Sequence, residues 1–323
     1  MNKKILLLVL SIVLGSSLLL TACGGSTPSE NNGGSNDQGI TESGEKKTVT
    51  VTTTFLQDMV HVLAPDMVNV ELIIPAGEDP HLYLAKPQDL DKMKKADLLL
   101  YHGIHFEGKM VDALEEKGVA VAKNFDHSKI GEMDQDGEII EDPHFWFDLD
   151  LYAEATKVAA EELENLLPEH KDEISENLNN YLEELKKLDE ENKEALSAIP
   201  EGSRYLITPH DAFNYFSRRY DIGVMAPQGV STDSEVANKD VEDTVNFIVD
   251  HQVKAIFAES TTDPARMEKL QEACKNKGHE VKVVGEEEGE QLFSDSLAPK
   301  GQDGDNFLDM YRHNVRLISE NLK

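Results

Sequence analysis

Short β-branched runs alternate with helix-like segments from Thr48 onward, cease between Asp150 and Ile199, and then resume. In the first stretch TVTVTTTF, NVELIIP, ADLLLYHG and VAVAKNF read as strands, with LQDMVHVLAPD, PQDLDKMKKA and GKMVDALEEKG as the helices between them. Strands separated by helices are joined by crossovers, so such a chain builds a mostly parallel sheet. After Pro200 the alternation returns. RYLITP, IGVMAP, VKAIFAES and EVKVVGEE read as strands, and AFNYFSRRY, NKDVEDTVNFIVDHQ, DPARMEKLQEACKNKG and DNFLDMYRHNVRLISENL as helices. Within the interruption Ile174, Leu178, Tyr181, Leu182, Leu185, Leu188, Leu196 and Ile199 mostly recur three or four apart, as on one helix face. A helix from His170 to Ile199 would run about 45 Å at 1.5 Å per residue. Pro200 and Gly202 end it, and Glu and Lys crowd its other faces, so it should lie along a surface. The expected fold is α/β: two lobes with mostly parallel sheets, 48–169 and 200–323, joined by one long backbone helix, 170–199, with a cleft between the lobes.

The first residues fix the compartment. Lys3 and Lys4 precede an apolar run from Ile5 to Leu20, and Thr21, Ala22 and Cys23 follow. The run is too short and wrongly flanked for a spanning helix and reads as a secretory leader over 1–22. A cysteine after a small residue at the cleavage point resembles the bacterial lipobox, which makes Cys23 the expected lipidation site. Gly24 to Lys47 holds almost nothing apolar and should be a flexible tether, 23–47 with the lipidated cysteine. The expectation is a soluble body anchored by lipid to the extracytoplasmic face of the cell membrane. Cys274 is the only other cysteine, so with Cys23 lipidated no intramolecular disulfide can form. The formal net charge of −31 opposes nucleic acid and anionic headgroups and suits cationic ligands as well as plain solubility.

GEDPHLYL (77–84) and EDPHFWFDL (141–149) each place a histidine behind Asp-Pro. Proline fixes its own φ and holds the preceding residue extended, so the backbone leading to His81 and His144 is stiff. Such loops could be half of a metal site or merely two similar turns. Parallel sheets bind ligands at the carboxyl ends of their strands. His81 follows the strand that ends near Pro75, and His144 precedes the helical region leading into the linker. His210, in LITPHDAF, follows a strand directly, and Asp295, in QLFSDSL, lies in the loop after VKVVG. A cleft between lobes could gather all four. Three imidazoles and a carboxylate suit Zn²⁺ at about 2.0–2.2 Å and tolerate Mn²⁺ or Fe²⁺. Taken singly, a loop histidine is more often solvated or hydrogen-bonded than ligating. His61, His170, His251, His279 and His313 fall in or beside helical patterns and read as structural. His102 and His105, in YHGIHFEG, follow a strand, and His105 is a candidate for an accessory role.

Together GEDPHLYLAKPQDL, DPHFWFDL, ITPHDAFNYFSRRYDI, GVSTDSEVANKDV and LFSDSL resemble the successive motifs of the zinc/manganese solute-binding lipoproteins of bacterial ABC importers, the cluster A-I group. The resemblance runs in the same order from about Thr48 to the end. It implies two α/β lobes bridged by a rigid helix, metal ligands at His81, His144, His210 and Asp295, an ABC permease with its ATPase as partners, and a monomer. Three features depart from the family pattern. The tract before the second Asp-Pro-His is short, with His127 as its one histidine; Cys274 lacks a disulfide partner; His102 stands where members often have Asn. Manganese members commonly carry Glu at the third ligand position, so His210 favours zinc as the transported ion. The rivals are a Mn²⁺ or Fe²⁺ receptor and, from another class, a zinc hydrolase with an open fourth position and Glu259 as general base. An adhesin holding a structural metal is a third reading.

Overall fold

The computed structural model describes residues 46–135, 138–287 and 289–323. The expected leader, Cys23 and nearly all of the tether lie outside the described residues. The first half runs β1 (Thr48–Val51), α1 (Thr54–Leu63), β2 (Asn69–Leu72), α2 (Pro87–Lys95), β3 (Leu98–Tyr101), α3 (Val111–Glu115) and β4 (Val119–Ala120). Its strands form one parallel sheet in the order β2-β1-β3-β4. Of the central strands β3 is an apolar, fully buried run and β1 alternates Thr with Val and is buried from Val49 onward, whereas edge strand β2 keeps residues partly exposed. Helix α1 starts where Thr53 is extended and its hydroxyl accepts the Leu56 N–H, satisfying a free helix-end donor. It then buries Phe55, Leu56, Met59, Val60 and Leu63.

The short tract before the second Asp-Pro-His, where the sequence reading places no strand, forms an antiparallel hairpin of β5 (Gly131–Gln135) and β6 (Glu138–Asp142). Its sequence, GEMDQ paired with EIIED, has neither β-branched enrichment nor an apolar alternation, so no strand signal reaches the sequence. β6 ends on the buried Asp142 and so hands the chain directly to the second motif.

A turn of 3₁₀ helix at Phe145–Phe147, with all three aromatic rings buried, leads to α4 (Leu149–Leu166) and then α5 (Lys171–Ser197). α5 has 27 residues, about 40 Å at 1.5 Å per residue. It lies against α4 and α1, and buries Ile174, Tyr181, Leu185, Leu188 and Leu196. Leu178 and Leu182 are only half-buried. Two polar residues of α5 are buried as well: Asp189 accepts from Arg219 Nε (2.7 Å) and the Tyr220 hydroxyl (3.0 Å), and Asn192 donates to Tyr220 (3.2 Å).

The second half is β7 (Tyr205–Ile207), α6 (Asn214–Tyr220), β8 (Gly223–Met225), α7 (Asn238–Asp250), β9 (Ala255–Phe257), α8 (Ala265–Asn276), β10 (Lys282–Val284) and α9 (Phe307–Asn321). β7 pairs with β8 and β9 with β10, all parallel, and β7 runs beside β9. α9 also packs against α5 and returns to the first half, where Phe307 stacks on Tyr152 with ring centroids 3.7 Å apart. The largest core therefore joins Phe55, Trp146 and Phe147 to Phe213, Phe216 and Tyr311, and both halves share it. Among the described residues no helix is long and apolar enough to cross a membrane.

Candidate metal centre

His81 and His144 hang from the same local device. In each Asp-Pro-His the aspartate turns back and accepts the backbone N–H of the histidine, Asp79 Oδ1 at 2.9 Å and Asp142 Oδ1 at 3.0 Å. An Asp side chain that closes a turn on the residue two further on, with proline between, leaves the histidine little backbone freedom. Gly108 adds to the restraint at His81: a Cβ there would overlap the His81 carbonyl oxygen, so only glycine lets the next loop pass so close. His144 is held from the other side by the buried turn Phe145–Phe147.

From the second half, His210 follows β7 in a loop closed by the Thr208 hydroxyl, which donates to the His210 carbonyl at 2.9 Å. Asp295 sits in a segment tied down on several sides. Asn314 of α9 brackets Phe293, accepting its N–H at 2.9 Å and donating to its carbonyl at 2.8 Å. Trp146 Nε1 donates to the Ser294 carbonyl at 2.9 Å, and the Leu297 N–H to Thr54 Oγ1 at 2.9 Å.

These loops bring His81, His144, His210 and Asp295 together. One ligand atom from each lies within 4.8 Å of all the others, and all four residues are buried. The imidazole centroids are 5.4 Å apart for His81–His144, 5.3 Å for His144–His210 and 6.0 Å for His81–His210. Asp295 presents both oxygens, Oδ1 3.3 Å from His144 Nε2 and Oδ2 3.3 Å from His210 Nε2. Nε2 of all three histidines and Oδ1 of Asp295 have no hydrogen-bond partner. Four orphaned polar atoms in one buried spot are costly unless a cation takes up their lone pairs.

The far ring nitrogens are committed. His144 Nδ1 donates to Asp142 Oδ1 at 2.7 Å, and His210 Nδ1 donates to Glu259 Oε2 at 2.5 Å. Each carboxylate keeps the proton on Nδ1 and turns the Nε2 lone pair inward, as in carboxylate–histidine–metal pairs. Burial alone would strip His144 of its charge, but the hydrogen bond and charge of Asp142, helped by Asp295, push its pKa up to about 9. At His210 burial is likewise outweighed, here by Glu259 and Asp295, and its pKa stands well above the ordinary imidazole value. Burial would raise Asp295, yet His210 and His144 hold it well below the usual carboxylate range. At His81 burial outweighs the charge of Asp295 and pushes the pKa down to about 3.

His102 and His105 do not join the cluster. His102 is buried with Nε2 2.7 Å from Thr53 Oγ1, and burial lowers its pKa to about 3. His105 is exposed in a left-handed turn at φ 56°. His61 and His251 are exposed, and His279 and His313 bond backbone carbonyls. Glu259 is fully buried behind His210, on the ring nitrogen turned away from the cluster, where it orients the imidazole rather than facing a water at the metal position. Asp142 and Glu259 orient two of the imidazoles, a part that the sequence reading assigns to neither, Glu259 entering it only as the general base of a hydrolase. Asp142 carried a signal, since both motifs place an aspartate two residues before the histidine; Glu259, far from His210 in the chain, carried none.

The family model for the zinc-uptake complex component A periplasmic, ZnuA, matches residues 49–321. The manganese-binding lipoprotein MntA of Bacillus subtilis (strain 168) is 36% identical over 280 residues, covering 85% of this chain and 89% of that protein. The zinc-binding protein TroA of Treponema pallidum (strain Nichols) is 34% identical over 278 residues, 84% of this chain and 88% of that one. A solved TroA structure concerned with metal-binding specificity is 60% identical, with a TM-score of 0.85 over 86% of this chain and 100% of that chain. The periplasmic zinc-binding TroA from Treponema pallidum superposes with a TM-score of 0.81 at 33% identity, over 86% and 99% of the two chains. Sequence and fold agree along nearly the whole described body, and this chain belongs to the ZnuA family of periplasmic metal-binding proteins.

Proposed function

We propose that this protein is the extracytoplasmic receptor of a metal ABC importer, that His81, His144, His210 and Asp295 are its metal ligands, and that Zn²⁺ is its cargo. The observation that carries the reading is the buried cluster of four ligand atoms within 4.8 Å, three of them unpartnered imidazole nitrogens. The relatives are named for manganese, zinc or iron, so the donor set has to decide. Three nitrogens and one carboxylate favour zinc over manganese, which prefers oxygen ligands. Asp295 faces the cluster with both oxygens, which allows a four-coordinate or a five-coordinate ion. The receptor would hand its ion to a permease driven by an ATPase, as a monomer tethered through a lipid on Cys23; relatives named as lipoproteins support the anchor. The domain boundaries expected from the sequence belong to this proposal.

The test is competition between Zn²⁺ and Mn²⁺ for the purified protein without oxygen, with His144→Ala and His210→Ala alongside. One zinc per chain is expected, retained against excess manganese and largely lost in both variants. Manganese outcompeting zinc would shift the cargo, and full zinc binding in both variants would remove the ligand assignment.

A further inference from the structure

Both Asp-Pro-His segments use their aspartate twice. Asp79 Oδ1 accepts the His81 N–H, and Asp79 Oδ2 accepts the Thr232 hydroxyl at 2.6 Å. Asp142 Oδ1 accepts the His144 N–H, and Asp142 Oδ2 accepts from Asn214 Nδ2 at 3.1 Å. In each case one carboxylate joins the backbone of a histidine from the first half to a polar side chain from the second. The two joints lead to different elements. Asn214 opens α6, whose Phe216 and Tyr220 belong to the shared core. Thr232 is itself buried, but it belongs to the loop GVSTDSEV, residues 229–236, whose Asp233, Glu235 and Val236 are exposed and whose Lys109–Asp233 pair is 3.0 Å apart and about half exposed. The loop holds its own shape through Gln228, which donates to the carbonyls of Thr232 (2.9 Å) and Ser234 (2.7 Å).

We propose that this loop is a strap, latched by Thr232 onto Asp79, which fixes His81 over the bound ion and sets how slowly the ion leaves. The proposal rests on the metal-receptor reading. Because the two halves share one core, loss of the ion through a wide opening of the molecule would disrupt many packed aromatic rings. Unlatching the loop breaks one hydroxyl–carboxylate bond and an exposed ion pair, and frees the Asp79 turn that carries His81. Asp79 and Thr232 are positioning residues: neither needs to touch the metal.

The experiment is zinc release from the loaded protein into excess chelator, followed by fluorescence of Trp146, the sole tryptophan, whose ring lies 5.3 Å from that of His144. A hydrogen bond to a charged group accounts for roughly a tenfold change in rate. Thr232→Val should therefore release zinc about tenfold faster and Thr232→Ser at about the parent rate, since only the hydroxyl matters. Because the bond is already made without the ion, Thr232→Val should lower the melting temperature of the metal-free protein by only a few degrees and Thr232→Ser should restore it, which a general packing defect would not allow. Lys109→Ala, which breaks only an exposed pair, should alter release by less than about threefold. Release from Thr232→Val at the parent rate, or from Thr232→Ser as fast as from Thr232→Val, would overturn the latch while leaving the receptor reading intact. A parent that binds no zinc would overturn both.

Discussion

His144 and His210 each stand between two carboxylates, one on each ring nitrogen: Asp142 and Asp295 for the first, Glu259 and Asp295 for the second. Without metal both hold a second proton on Nε2 more tightly than a free imidazole does. An incoming cation must displace those protons, so affinity should fall as pH falls and rise with pH until His144 loses its proton, at about 9. The sequence alone would set that dependence at the reference histidine value of about 6.5; the paired carboxylates move it upward. Near neutral pH, zinc binding should release about two protons, measurable by calorimetry in buffers of different ionisation enthalpy. Release of none would mean that both imidazoles are already neutral without the metal, against the upward push of the paired carboxylates. Glu259→Gln, which keeps the shape but removes the charge behind His210, should weaken zinc binding about 10- to 100-fold. The four proposed ligands were candidates through their loops beside strands, and only the resemblance of the surrounding motifs to a known family singled them out as one set. Their orienting carboxylates were less legible, since Glu259 meets His210 only after folding.

The long helix shows what periodicity can and cannot say about an element. Its apolar spacing marked the buried stripe of Ile174, Tyr181, Leu185, Leu188 and Leu196, and proline and glycine marked its end. The buried Asp189 and Asn192 were hidden because their partners, Arg219 and Tyr220, lie on α6. The β5–β6 hairpin was hidden for the opposite reason: a half-exposed acidic ribbon buries too little to impose a pattern. Leu188 is fully buried in the shared core, and Leu188→Ala should cost about 2–5 kcal/mol of stability. Because α5 contributes no ligand, zinc affinity at a temperature where the variant is folded should stay within about twofold of the parent. Chemical denaturation and a zinc titration of the same preparation check both halves of that statement.

At the scale of the whole molecule, loops after β2, β6, β7 and β10 meet at one buried spot, while α5, α9 and the aromatic core hold the two halves together. This division of labour was readable from strand–helix alternation; the return of α9 across the first half was not, because Phe307 meets Tyr152 only through tertiary packing. The proposed anchor belongs to this scale too. Cys23→Ser should leave zinc affinity unchanged and move the protein from the membrane to the soluble fraction, and persistence on membranes after a salt wash would contradict the lipid. X-ray absorption at the zinc edge of the loaded protein tests the central claim most directly. The account predicts three imidazole nitrogens and carboxylate oxygen at about 2.0–2.2 Å, with no sulfur. A shell made only of oxygen, or one holding a single imidazole, would contradict it.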